Sequence, residues 1–156
     1  MPPPSPFSRR KTRAAITCRY LAYNLPGDTP KILRLPMIHI RLSSGKDSLT
    51  TTGLVDSGST TTFIPLEIAE MLSLPIEKQD SAVGAGGRFQ NTIRRVDISI
   101  LKGHSVVAKF SNFPAYVPTE PDRVPYVVLG RDSIFRKFDI TFREHKEKVI
   151  LRGTEK

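Results

Sequence analysis

The chain places one carboxylate where a carboxylate is costly. The stretch Gly53-Leu54-Val55-Asp56-Ser57-Gly58 runs an apolar strand straight into Asp56, followed by the hydroxyl residues Ser59 to Thr62. Strands disfavour aspartate, because burying its charge costs free energy unless donors surround it. Donors are at hand in the hydroxyls of Ser57 and Ser59 and in backbone amides left open by a turn at Gly58. A carboxylate held this way is rigid, keeps one face accessible, and can work as a general acid or base. Taken alone, Asp-Ser-Gly is also an ordinary β-turn.

Two further segments bear on the choice. Residues 81–89, Ser-Ala-Val-Gly-Ala-Gly-Gly-Arg-Phe, lie between strand-like runs and read as a flexible hairpin tip able to cover a ligand. They are no phosphate loop, since no Gly-Lys-Ser/Thr follows and no helix begins there. In Val127-Val128-Leu129-Gly130-Arg131-Asp132 an apolar strand ends on glycine and leads into a short helical turn. Other chemistries fit poorly. An aspartate-dependent phosphohydrolase of the haloacid dehalogenase type needs a second acid where Gly58 stands. No Gly-x-Ser-x-Gly elbow is present. Cys18 lies in a strand-like run near the start, and His39, His104 and His145 lack zinc-ligand spacing, so no metal site is expected.

In this order the three segments resemble the retropepsin-like (retroviral-type) aspartic proteases, in their cellular or prokaryotic branch, over about residues 35–152. The resemblance implies a closed acid-protease-type β-barrel with one or two short helices and a glycine-rich flap hairpin. It implies that Asp56 is the catalytic carboxylate. Ser57 would lock the two active-site loops together across a dimer, and Gly58 would let the loop turn. Ser59 would support the loop, Gly130 would pack beneath it, and Arg131 would brace the dimer. Val83, Gly84, Ala85, Gly86 and Gly87 would form the flap. Val83 and Ala85, with Val128 and Leu129, would supply apolar subsites. The sequence departs from the retroviral pattern where Ser59 and Thr60 replace an alanine and an acid. Arg131 then needs another partner, with Asp132, Asp139 or an acid across the interface as candidates.

Peptide hydrolysis of this kind uses two carboxylates sharing one proton around a water. The chain has a single Asp-Ser-Gly, since Asp47-Ser48, Asp80-Ser81 and Asp132-Ser133 each lack the glycine. The expected enzyme is therefore a two-fold homodimer acting on peptide or protein substrates, without a cofactor. A Ser59 hydroxyl donating to the carboxylate would lower the pKa of the pair, so Ser59→Ala is expected to raise the pH optimum. The alternative is a non-catalytic peptide-binding or dimerisation module on the same β-fold.

The elements that must position these residues read as mostly β. Short runs rich in Ile, Val, Thr, Phe and Tyr, broken by Gly, Pro, Asn and Asp, predict strands at 16–23, 35–43, 48–56, 61–64, 79–84, 88–101, 104–110, 113–117, 125–129, 138–144 and 148–152. Lys102-Gly103 and the stretch around His145-Lys146 read as hairpin turns. Pro65 suits a first helical position ahead of Leu66, Ile68, Ala69 and Leu72, and a second short helix is expected over 131–137. This pattern is that of an all-β barrel or sandwich.

With 156 residues and 38% hydrophobic content, one globular domain over 15–156 is expected. Residues 1–14 read as a flexible basic arm, holding four of the thirteen prolines within the first six positions. Residues 1–19 carry five basic residues and no acid, so the rest of the chain holds only +4 of the net +9. No aromatic side chains interleave with basic ones on a strand, which favours a solubilising tail over nucleic-acid binding. The start has no apolar h-region, and no apolar run nears the roughly 18 residues of a membrane span. The lone cysteine fits a reducing compartment, so the cytoplasm is the expected location.

Overall fold

The computed structural model describes residues 14–25, 27–29, 31–84 and 87–154; apart from Ala14, the expected arm over 1–14 lies outside the described residues. In chain order the elements are β1 (Ile16–Arg19), β2 (Leu21–Leu25), β3 (Lys31–Leu35), β4 (Met37–Ser44), β5 (Asp47–Val55), α1 (Leu66–Met71), β6 (Ile76–Gly84) and β7 (Gly87–Lys102). They continue through β8 (Ser105–Pro118), β9 (Val127–Leu129), α2 (Ile134–Lys137), β10 (Phe138–Arg143) and β11 (Lys148–Gly153). The all-β expectation with two short helices holds.

Alternation along the central strands sets the core. Ile38, Ile40 and Leu42 of β4 point inward between exposed His39 and half-buried Arg41. They meet Ile98 and Ile100 of β7, Val55 of β5, and Val127 and Leu129 of β9, all buried. Each such side chain contributes about 1.5–3 kcal/mol by leaving water. α1 closes one side of the core with Ala69, and the buried guanidinium of Arg94 reaches Glu70 on that helix at 2.8 Å. Pro65 is the N-cap, one position earlier than expected, and its carbonyl accepts from Ala69 N–H at 3.1 Å.

β7 organises the main sheet. Its first half pairs with β6, its second half with β4, and β8 runs along its other edge. β4 then pairs with β5, and β5 with β9 in parallel, Val55 opposite Leu129. The predicted closed barrel is corrected here: among the described residues no sheet closes. Among the described residues the edges β8 and β9 are joined through the short segment 62–64. There Phe63 bridges Tyr116 on one side and Val128 on the other, and Thr62 and Ile64 share backbone bonds with Tyr116. The predicted strand over 61–64 is therefore a pair of single-residue bridges. Beside Phe63, Thr62 accepts from Tyr116 N–H through its backbone carbonyl and sends its side chain inward to Asp132.

Three other expectations change. The strand predicted over 16–23 breaks at Tyr20, whose backbone N–H goes to Glu147 and whose hydroxyl donates to Glu144 at 2.9 Å. Burial above all pushes that phenol up to about 12. β1 accordingly joins β11 and β10 in a three-stranded sheet, while β2 pairs with β3, a strand the sequence hides. Lys-Ile-Leu-Arg-Leu has no clean period, and prolines flank it. The two strands predicted over 104–117 are one, bent by a bulge where Asp97 faces the left-handed Asn112 (φ 51°). Both predicted hairpin turns are present, between β7 and β8 and between β10 and β11.

Candidate active site

Asp56 follows directly on β5, and its position is fixed from both ends. Its backbone N–H donates to Leu129 O at 3.1 Å, continuing the β5–β9 ladder one step. Gly58 N–H then donates to Asp56 Oδ1 at 2.9 Å, and Ser59 N–H to the Asp56 carbonyl at 3.3 Å. A Cβ on Gly58 would lie 3.2 Å from Asp56 Oδ1, so a side chain there would press on the carboxylate by a few tenths of an ångström. Asp56 is half-buried, while Ser57 and Gly58 are exposed. Among the described residues, nothing else hydrogen-bonds the carboxylate.

Beneath the loop lies a buried network that local sequence does not announce. Thr62 Oγ1 donates to Asp132 Oδ1 at 2.7 Å and Thr62 N–H reaches Asp132 Oδ2 at 3.2 Å. Gly130 N–H donates to Thr62 Oγ1 at 3.2 Å, and Ser133 Oγ stands 2.7 Å from the same hydroxyl. Burial raises the Asp132 pKa, against the opposing hydrogen bonds from Thr62. Gly130 fits only as glycine, since a Cβ there would stand 2.2 Å from the carbonyl oxygen of Thr61. Arg131 N–H completes the clamp by donating to Ser59 O at 2.8 Å.

Asp56 opens onto a groove of about 560 Å³ lined by Gly58 to Thr61, Phe63, Ser81 to Val83, Phe89 and Tyr116. Its floor is aromatic: Phe63 packs 5.9 Å, centroid to centroid, from both Phe89 and Tyr116. One side belongs to the β6–β7 hairpin, where Val83 is 73% exposed. Tyr116 donates its hydroxyl to Asp80 Oδ2 at 3.0 Å, fixing that hairpin to β8. Ser81 N–H, then Tyr116, hold the Asp80 carboxyl below its ordinary range. Asp56 is the one acid among the lining residues.

The family model described as aspartyl protease matches residues 41–133, from β4 through the Asp56 loop and the hairpin to Ser133. The chain belongs to the aspartyl protease family. No curated protein sequence matches this aspartyl protease. Among solved structures, a retropepsin-like aspartic protease from Rickettsia conorii is similar at a TM-score of 0.52 and 12% identity, over 90% of each chain. EIAV protease, solved with the inhibitor HBY-793, gives 0.49 and 17%, over 66% of this chain and 88% of its own. The retroviral protease-like domain of Ddi1 from Leishmania major gives 0.45 and 16%, over 78% and 97%. The fold shared with the Rickettsia conorii structure is retropepsin-like.

Within this aspartyl protease the expected site residues fall into three groups. Asp56, Gly58, Ser59 and Val83 meet at the groove, and Gly130 and Arg131 pack on the loop through their backbones. Gly84 and Gly87 pair across the hairpin, whose tip, Ala85-Gly86, lies outside the described residues. Leu129 is corrected as a subsite residue, because it is fully buried and its side chain packs on Gly53. Val128 is half-exposed and bridges Phe63 rather than lining the groove. The Ser59 hydroxyl is also corrected. It donates to Thr61 O at 2.6 Å, not to Asp56.

Asp132 does not pair with Arg131, since both its oxygens are taken by Thr62. Sequence reasoning missed Tyr126, which sits just before β9 and stacks edge-on against Tyr23 of β2 at 5.1 Å. Burial, then Tyr23 and Asp56, raise the Tyr126 phenol. Among the described residues no group of His, Cys, Asp and Glu could hold a metal ion, and no helix is long and apolar enough to cross a membrane.

Proposed function

We propose that the chain is an aspartic endopeptidase whose active site is completed by a second copy, each subunit contributing Asp56. One observation carries the reading: a groove of peptide-binding size holds a single carboxylate, rigidly placed by Gly58 N–H, and no second acid lines it. Two carboxylates about 3 Å apart cannot both ionise, so a pair on the two-fold axis shares one proton. The charged member takes a proton from water as its oxygen attacks the peptide carbonyl. The protonated member donates to the carbonyl oxygen, and the amine leaves with a proton as the C–N bond breaks. The β6–β7 hairpin acts as the flap, covering substrate and excluding water. Phe63, Phe89, Tyr116 and Val83 give the groove apolar subsites.

The test is cleavage of a peptide library from about pH 3 to 8 by the wild type and by Asp56→Asn, which keeps the shape and removes the proton chemistry. Sequence-selective cleavage that vanishes in the variant is the expected result. Cleavage that survives it places the chemistry elsewhere.

A further inference from the structure

A second hollow, of about 470 Å³, adjoins the Asp56 groove and is lined by Thr60, Arg131, Asp132, Phe135 and Arg136. Thr60 lines both spaces, which places the hollow beside the groove. Two exposed guanidinium groups border it. The acid among its walls, Asp132, has both oxygens within hydrogen-bond reach of Thr62, at 2.7 and 3.2 Å, and is thereby directed into the loop's buried support. Among the described residues the ion pairs are made by Arg94, Arg95 and Lys109, and neither Arg131 nor Arg136 enters one. Two cations therefore share a hollow with one carboxylate, whose oxygens are held by Thr62 and which Arg136 reaches only through space, not in a contact ion pair.

We infer that this hollow is a subsite for an acidic side chain of the substrate, so that the enzyme prefers peptides bearing Glu or Asp at one fixed position beside the scissile bond. The inference rests on the reading of the Asp56 groove as a peptide groove. A planar guanidinium fork matches a carboxylate with two parallel hydrogen bonds. The Thr60 hydroxyl can add a neutral donor, and the half-buried Phe135 ring gives the methylene stem an apolar wall. Beyond residues 1–19 the chain still carries +4, a balance that draws acidic peptides toward it.

The test uses Asp56→Asn, so that binding is read without cleavage, and fluorescent peptides that differ only by Glu, Gln or Lys at each position in turn. Anisotropy titrations at about pH 7 should find one position where Glu binds about tenfold tighter than Gln, the gain of one charge-assisted contact. Added salt should shrink that ratio. In the Asp56→Asn background, Arg136→Gln should bring the ratio near one, and Arg136→Glu should reverse it in favour of Lys. Damage to the fold cannot produce such a reversal. Equal binding of Glu and Gln peptides at every position overturns the subsite while leaving the groove intact. So does an Arg136→Glu chain that keeps the Glu preference but changes its sedimentation, which would assign the hollow to a second copy. Failure to bind any peptide, neutral or acidic, overturns the peptide groove and the subsite together.

Discussion

At the scale of single residues, the loop around Asp56 is held by groups that do not touch its carboxylate. The Ser59 hydroxyl donates to Thr61 O at 2.6 Å and so braces the loop backbone. Ser59→Ala should cost about 1 kcal/mol of stability, the worth of one hydrogen bond, and leave the pH–rate profile of peptide cleavage in place. A shifted acid limb would mean that the hydroxyl turns to Asp56 during turnover. Gly130 makes a stronger demand, because a Cβ there would stand 2.2 Å from Thr61 O and 2.9 Å from Ser59 O, both backbone atoms. Gly130→Ala should lower stability by about 1–3 kcal/mol through overpacking. It should also depress kcat/KM, since the clash is relieved only by moving the loop that carries Asp56. A urea midpoint equal to wild type would remove Gly130 from that role.

At the scale of elements, the β7–β8 ribbon carries its own pH dependence. Asp97 sits at the bulge, where its Oδ1 accepts from Asn112 N–H at 2.7 Å and its Oδ2 lies 3.4 Å from Lys109 Nζ. The Asn112 amide first, and Lys109 after it, hold the carboxyl below its ordinary value. A carboxylate with a depressed folded-state pKa stabilises the fold above the ordinary aspartate range of about 3.9, and loses that contribution as pH falls through the folded value. Asp97→Ala should therefore cost about 1 kcal/mol in urea unfolding at pH 7, a modest figure because the side chain is partly exposed. The gap should narrow as pH falls below that range, and a gap constant with pH would refute the assignment. This ribbon also marks the limit of what could be read from the chain. Its alternation was legible, but the bulge split it into two predicted strands, because Asn112 interrupts the period where the backbone merely turns left-handed. The Asp56 triplet was legible because its geometry is local. The Thr62–Asp132 contact was not, since the two residues stand 70 positions apart and meet only after β9 has joined β5.

At the scale of the whole molecule, the decisive fact is arithmetic: one chain brings one Asp56 to one groove. The three-stranded sheet of β1, β11 and β10 pairs the final described strand on both edges within its own chain. A second copy thus cannot add to β11 there without displacing β1 or β10. Subunit mixing tests the shared site without knowledge of the interface. A dimer of one wild-type chain and one Asp56→Asn chain holds a single carboxylate, and the asparagine facing it can neither accept nor donate the shared proton. Equal amounts of wild type and variant, fully exchanged at a concentration where dimers persist, leave about a quarter of dimers with two carboxylates. Activity should then fall to about a quarter of that of the same total amount of wild type, not to half. A linear fall to half would mean that each chain cuts peptides alone, and the second acid would have to be sought within it. Activity that returns as the variant is diluted out, following the square of the wild-type fraction, would fix both the dimer and the role of Asp56 in one titration.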